Sequence, residues 1–478
     1  MRYLIAGHDR ETAVLDMLIA LLPDEKHSPD NGEGGDICIS SLECTDGEVK
    51  ARAEITRGDR KTSGECTEAA PAQGEERKRI ISYAVKTAMY HALLPHLSQT
   101  PPWGSLTGVK PAKPVRVYMQ QGNSCDDAVE WLRDRYFVSK DRAELCVTAA
   151  AAAIETENSL YPDEVQLYAG IPFCPSKCAY CSFVSNDMVR WGHLIEPYHR
   201  ALLRETEAAG KMLSRQGRRI GSVYIGGGTP TTLNAEQLDG LIAAIKGSFY
   251  LGICREFTVE AGRPETITRD KLEVLARHGI SRISINPQSM NDKVLENVGR
   301  KHSVADIVNA YAMARASGDF IINMDLIAGL PGDDGEGLLR SVHKVIDLAP
   351  ENITVHCLAK KKGSPMRFGK RGDLEQSELD ACYAAIAEAG YVPYYMYRQK
   401  YSAGGLENIG FCKNNHKSHY NICMMEEIGD VVALGAGGIT KLCSEQGAKI
   451  LRVCNPKYPI EYIDRCDSIV QKKLEIDL

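Results

Sequence analysis

The chain of 478 residues is several times longer than one ordinary core requires, so two or three domains are expected unless one is a large α/β barrel. Its 44% hydrophobic and 25% charged residues exclude a disordered or fibrous chain, and 57 basic against 63 acidic residues, net charge −6, leave no basic field for DNA or RNA. Sixteen cysteines scattered through so long a chain, with no secretory signal in the first residues, predict reduced thiols in a cytoplasm, some of them metal ligands, rather than a disulfide scaffold.

The opening segment MRYLIAGHDRETAVLDMLIALL reads as a strand and an amphipathic helix; His8, Asp9, Arg10, Glu11 and Asp16 interrupt the roughly 20 apolar residues a membrane span needs. Two alternating segments, 36–42 and 48–57, predict strands, and 58–77 is a polar tract. A helix is expected over 78–98, then the Pro and Gly punctuated segment PPWGSLTGVKPAKP at 101–114, then helices near 125–135 and 140–157. From 165 onward the texture becomes a regular alternation. The strand candidates QLYAG (166–170), SVYIGG (222–227), EFTVEA (256–261), RISINPQ (282–288), FIINMDLIAG (320–329) and NITVHCLA (352–359) alternate with helical stretches, one more following at 376–389, so parallel βα units are predicted. After Gly390 the alternation stops: strand-like YVPYYMYRQK, a polar loop, a Gly-rich segment at 434–438 and a terminal helix over 459–475. The expected organisation is an N-terminal α+β extension (1–160), an α/β domain (161–390) and a C-terminal α+β cap (391–478).

The chemistry is concentrated in Gly170-Ile-Pro-Phe-Cys174-Pro-Ser-Lys-Cys178-Ala-Tyr-Cys181-Ser-Phe183, which places three thiols at CxxxCxxC just after the first βα strand. Three thiolates in one loop can hold three irons of a [4Fe–4S] cube and leave the fourth iron open. Zinc is the main alternative metal, but a structural zinc site wants a fourth Cys or His at knuckle-like spacing, and 182–192 contains none.

CxxxCxxC with Tyr180 before the third cysteine resembles the signature of the radical S-adenosylmethionine superfamily, which implies a full or partial (β/α) barrel, here a partial (β/α)6 barrel. The resemblance implies a [4Fe–4S] cluster on Cys174, Cys178 and Cys181 whose open iron chelates S-adenosylmethionine, one-electron cleavage of the sulfonium, and a 5′-deoxyadenosyl radical that removes a substrate hydrogen. The YxGIPFC context is similar to the YxHIPFC entry of the oxygen-independent coproporphyrinogen III dehydrogenase group (HemN/HemW-like), with Gly170 in place of His. By the same resemblance Gly227, Gly228 and Thr229, within GGGTP at 226–230, meet the methionine amino group, and Tyr180 joins the cofactor contacts. Glu260, Gln288, Arg300 and Asp325, at successive strand ends, contact the ribose and methionine ends, and Tyr168, Ala359 and Ile439 line the adenosine pocket.

Within the group, PWGSLTG at 102–108 followed by Lys110, Pro111 and Lys113 is similar to the long-extension HemZ branch, which implies oxidative decarboxylation of coproporphyrinogen III propionates to vinyls and a reductant such as flavodoxin or ferredoxin. Lys360, Lys361, Lys362 and Arg367 offer a carboxylate clamp for such a tetrapyrrole. Phe183 stands where the dehydrogenases carry a fourth cysteine. Phe there is typical of the heme-chaperone branch and of related methyltransferases, the two alternatives within the resemblance. Of the chaperone HNxxYW pattern the chain keeps the first His and the Tyr, so heme on His416 or His419 competes with plain loop histidines. An electron-transfer or iron–sulfur scaffold using the same cysteines is the reading from another class, and GGGTP and Arg300 argue against it.

Overall fold

The computed structural model describes residues 1–32, 34–183, 185–359, 374–399, 405–443 and 450–476. The chain forms two compact units, Met1–Ala151 with Tyr397–Glu407, and Ala152–Met396 with Asn408–Leu478.

In the first unit β1 (Arg2–Ala6), β2 (Ser28–Pro29), β3 (Ile37–Cys44), β4 (Glu48–Arg57) and β5 (Arg60–Ala69) make one sheet in the order β2-β1-β3-β4-β5. The period of two puts Val49, Ala51, Ala53 and Ile55 of β4 on one face, where they pack with Val14, Met17 and Leu18 of helix Glu11–Leu21 and Ala84, Val85, Ala88 and Met89 of helix Glu75–Leu93. β5 lies inside the tract read as merely polar. It is an edge strand, and an edge strand with one packed face can carry Lys, Thr, Ser and Glu on the other. Helix Ala112–Gln120 likewise occupies a segment whose prolines suggested punctuation alone. Beyond it run helices Cys125–Tyr136 and Lys140–Asn158, close to their expected bounds. The interior of this unit holds Glu407, whose Oε2 accepts from Trp103 Nε1 at 2.6 Å and whose Oε1 lies 2.7 Å from Arg142 Nε, both carboxylate and guanidinium being almost wholly buried.

In the second unit β6 (Glu164–Ile171) is followed by a small parallel pair, β7 (Phe173–Cys174) and β8 (Asn186–Asp187), then by β9 (Arg219–Gly227), β10 (Glu256–Glu260), β11 (Arg282–Ser284), β12 (Ile321–Ala328) and β13 (Asn352–Cys357). β6 and β9 to β13 pair in parallel in chain order, with helices Ile195–Arg215, Ala235–Ser248, Arg269–Arg277, Val304–Ser317 and Gly335–Leu348 as crossovers. This is the expected run of six βα units. Three of the crossover helices begin at side-chain caps, Asn234, Ser303 and Asp334.

The sheet extends beyond these six. With β14 (Val392–Arg398), β15 (Glu407–Cys412), β16 (Asp430–Leu434), β17 (Ile439–Cys443) and β18 (Ile450–Cys454) it has eleven strands in the order β14-β15-β13-β12-β11-β10-β9-β6-β16-β17-β18. β15 joins β13 antiparallel, and β16 joins β6 in parallel. The terminal helix resolves into two, Pro459–Asp464 and Cys466–Glu475.

Alternate residues of the parallel strands form a buried polar layer. Ser222 Oγ donates to Gln166 Oε1 at 2.5 Å, Thr258 Oγ1 to Glu256 Oε1 at 2.8 Å, and Arg282 to Asn352 Oδ1. At the amino ends of the strands, segment 416–419 closes this layer: Ser418 Oγ and the His419 amide donate to Glu256 at 2.8 Å, and His419 Nε2 lies 3.0 Å from Glu164 Oε1. Burial opposes ionisation of Glu164, yet the hydrogen bonds from His419, Arg255 and Gln166 prevail and hold its carboxyl at about 2. Among the described residues no helix is long and apolar enough to cross a membrane.

Candidate functional site

The carboxyl ends of the same strands carry the chemistry-bearing side chains, as is usual for parallel βα architectures. β6 ends at Ile171, and the chain passes through Pro172 into β7, so Cys174, Cys178 and Cys181 lie in one loop beside the end of β9. Backbone bonds lock that loop to the glycine turn: Gly228 N donates to Ile171 O at 2.8 Å and Thr229 N to Phe173 O at 2.7 Å. A side chain at Gly228 would stand 2.5 Å from Phe173 O and 3.0 Å from Cys174 Sγ, and Gly227 has φ of +108°. Gly228 is therefore required by the close approach of the turn to the cysteine loop, and Gly227 by its left-handed backbone.

All three thiols are free. Thr229 Oγ1 donates to Cys174 Sγ at 3.5 Å, and Arg263 Nη1 to Cys178 Sγ at 3.0 Å. Burial raises the Cys174 and Cys181 thiols above their ordinary range. Among the described residues no group of three or more His, Cys, Asp or Glu side chains gathers as for a single metal ion. The donor set fits an iron–sulfur cluster: soft sulfur ligands on one loop, two of them already receiving hydrogen bonds, beside a backbone turn left bare of side chains.

The remaining predicted residues fall into two clusters and some separate positions. Glu260, at the end of β10, accepts from Tyr224 OH and, at 3.2 Å, from the Gly227 amide. Tyr224 stacks on Tyr420 with centroids 4.5 Å apart, and Tyr168 stacks on both at 6.3 and 6.4 Å. Arg300 is buried; its Nε donates to Tyr180 OH at 3.3 Å and its Nη1 to Asn286 O at 2.5 Å. Gln288, buried at φ of +68°, bridges to β12 by donating its amide to Asp325 O and accepting from Ile327 N, each at 2.8 Å. Asp325 receives Asn323 Nδ2 at 2.7 Å and has His356 Nε2 at 3.8 Å; burial opposes its ionisation, but His356, Asn323 and Thr354 together outweigh it and hold the carboxyl below its usual range. Ala359 is buried just past β13, and Ile439 stands 40% exposed at the start of β17. Phe183 is 67% exposed. His419 is tied down at the opposite end of the strands, with His416 in the same segment. Lys360, Lys361, Lys362 and Arg367 lie outside the described residues.

Sequence reasoning missed a polar chain behind the thiols. Arg263 Nε and Nη2 donate to Glu265 Oε1 at 2.9 and 2.6 Å, and Glu265 Oε2 lies 2.7 Å from His302 Nδ1. The only sequence signal was its neighbourhood, since Arg263 and Glu265 follow Glu260 in VEAGRPETI.

Burial, opposed by the Tyr224 hydrogen bond and reinforced by the Asp325 charge, pushes the Glu260 carboxyl from 4.5 up to about 7. The folded chain therefore keeps a proton that the unfolded chain releases between these values, so this group lowers stability as pH rises through that window and adds no further change above it. Glu260→Gln is expected to remove that slope. Denaturant midpoints of the apo protein against pH test it; parallel curves for variant and parent would refute the assignment.

Residues 168–345 match the sequence profile of the Radical SAM superfamily. The chain is 37% identical over 408 residues, 83% of its own length and 80% of the relative's, to the oxygen-independent coproporphyrinogen-III oxidase-like protein HemZ of Bacillus subtilis. It is 30% identical over 310 residues, 63% of its length and 76% of the relative's, to the heme chaperone HemW of Haemophilus influenzae. Among solved structures it resembles the coproporphyrinogen III oxidase HemN of Escherichia coli, a radical SAM enzyme, with a TM-score of 0.52 and 23% identity over 67% of this chain and 72% of that one.

Proposed function

Since the chain belongs to the radical S-adenosylmethionine superfamily, among HemZ- and HemW-like proteins that share a [4Fe–4S] cluster and S-adenosylmethionine as cofactors, we propose that it is an oxygen-independent coproporphyrinogen III dehydrogenase acting in a reducing cytoplasm. Cys174, Cys178 and Cys181 hold the cluster in this reading. Bound together, cluster and cofactor supply one-electron cleavage of the sulfonium and a carbon-centred radical able to take hydrogen from a propionate side chain. The residues of the chain orient the cofactor: the bare turn at Gly227 and Gly228 admits its amino end, Thr229 steadies Cys174, Glu260 and Asp325 offer acceptors to hydroxyl or ammonium groups, and Arg300 offers a cation for the carboxylate. Tyr168, Tyr180, Gln288, Ala359 and Ile439 complete the pocket. A tetrapyrrole is the substrate and a flavodoxin or ferredoxin the electron donor; after hydrogen removal each reacting propionate loses its carboxylate as CO2 together with one electron, which passes to a one-electron acceptor.

The observation that supports an enzyme is the direct bonding between thiol loop and glycine turn, Thr229 to Phe173 and to Cys174, with Glu260 accepting from the same turn. A protein that merely stored a cluster has no need of that second half. The chaperone alternative draws on the HemW relative, but His419 is engaged with Glu164 at the far end of the strands. Anaerobically reconstituted protein given S-adenosylmethionine, reductant and coproporphyrinogen III should form protoporphyrinogen IX and 5′-deoxyadenosine. Tight heme uptake without conversion would favour the chaperone, a methylated product with S-adenosylhomocysteine would favour a methyltransferase, and either would overturn the dehydrogenase.

A further inference from the structure

We propose that Arg263 is a positioning residue that sets the reduction potential of the cluster, an inference that rests on the ligand assignment above. Its guanidinium is buried, with 3% of the residue exposed, and it is held on several sides. Nη1 points at Cys178 Sγ from 3.0 Å, Nη2 donates to Ser176 Oγ at 2.8 Å, and Nε and Nη2 both reach Glu265 Oε1. Glu265 is itself fixed by His302. Burial works against its charge, but the His302 and Arg263 hydrogen bonds keep its carboxyl at about 2, so the clamp is ionised throughout the neutral range. One fork thus spans two positions of the cysteine loop, Ser176 and Cys178, and its direction is determined from the side away from the sulfur.

The electrostatic consequence has a definite sign. Adding an electron to a cluster on three thiolates increases the negative charge on its sulfurs. An N–H donor and a cation against one of those sulfurs, in a region shielded from water, favour the reduced form and raise the potential. The carboxylate of Glu265 offsets part of that charge while aiming the fork. Removing the arginine and removing the carboxylate's charge should therefore move the potential in opposite directions, which loss of local structure would not do.

The test is an electron-paramagnetic-resonance redox titration of the reconstituted full chain, with iron content measured in parallel. Arg263→Met should keep its iron and shift the one-electron equilibrium at least tenfold toward the oxidised cluster, about 59 mV downward. Glu265→Gln should shift it upward. An unchanged midpoint in an iron-replete Arg263→Met variant, or shifts of the same sign in both variants, would overturn the proposal. Should Arg263→Met fail to hold iron, Arg263→Gln, which keeps an N–H donor and loses the charge, must show a lowered midpoint, and a parental midpoint there overturns it equally. A Cys178→Ser variant that keeps its cluster would instead remove the ligand assignment itself, a separate failure visible in the iron content.

Discussion

Cys178→Ser is expected to abolish both the visible absorbance of the reconstituted cluster and 5′-deoxyadenosine formation, reducing each to background. Cys178 is the most enclosed of the three thiols, with 7% exposed, and it carries the Arg263 hydrogen bond, so its replacement removes both a ligand and an ordered contact of the loop. A hydroxyl is a poor substitute, because clusters of this kind prefer thiolate sulfur and a serine oxygen is both harder and far less acidic. Cys125→Ser, at an exposed helix start, is the matched control and should leave iron content and turnover unchanged. Iron analysis and anaerobic product chromatography decide the matter; full iron content in Cys178→Ser would contradict the assignment.

The largest effect on stability is expected at Glu407 in the first unit. Its carboxylate is wholly buried between Trp103 Nε1 and Arg142, whose own side chain is 2% exposed. Glu407→Ala leaves the indole N–H without this acceptor and the guanidinium without this counter-charge in the interior. Breaking one side of a buried pair costs about 3–5 kcal/mol, far more than the pair contributes relative to apolar residues. For a unit of this size that is a fall in Tm on the order of 10 °C. Glu407→Gln keeps an acceptor for Trp103 and should lose less. Differential scanning calorimetry checks both, and a Glu407→Ala transition within about 2 °C of the parent would show that the buried pair contributes little to the stability of this unit.

What the sequence made legible follows physical lines. The six parallel strands were readable because each is a short β-branched run followed by a helix, a local signal. Their carboxyl ends were readable in part: Cys174, Gly227 and Glu260 close β7, β9 and β10, whereas Asp325 lies inside β12, Gln288 lies four residues past β11 and Arg300 follows a short helix, so these three are not at the strand ends expected of them. β15 and β16 were not, since nothing local says that β15 will lie against β13 or β16 against β6; those pairings are set by the whole sheet. β5 was lost for a different reason, as its apolar content is too low to register an alternation. The polar layer of Gln166, Ser222, Glu256 and Arg282 is hidden in the same way, because a hydrogen-bonded interior carries no hydrophobic period. Arg263 was invisible because its partner lies 85 positions away, and no single sequence reports a contact across such a span.

Isotope transfer reads out whether the chain takes hydrogen from a propionate side chain of coproporphyrinogen III. Coproporphyrinogen III deuterated on its propionate arms is incubated anaerobically with the reconstituted protein, S-adenosylmethionine and reductant, and the 5′-deoxyadenosine is weighed by mass spectrometry. The expected result is one deuterium in each 5′-deoxyadenosine formed, together with protoporphyrinogen IX. Unlabelled 5′-deoxyadenosine with the porphyrinogen returned intact would contradict it.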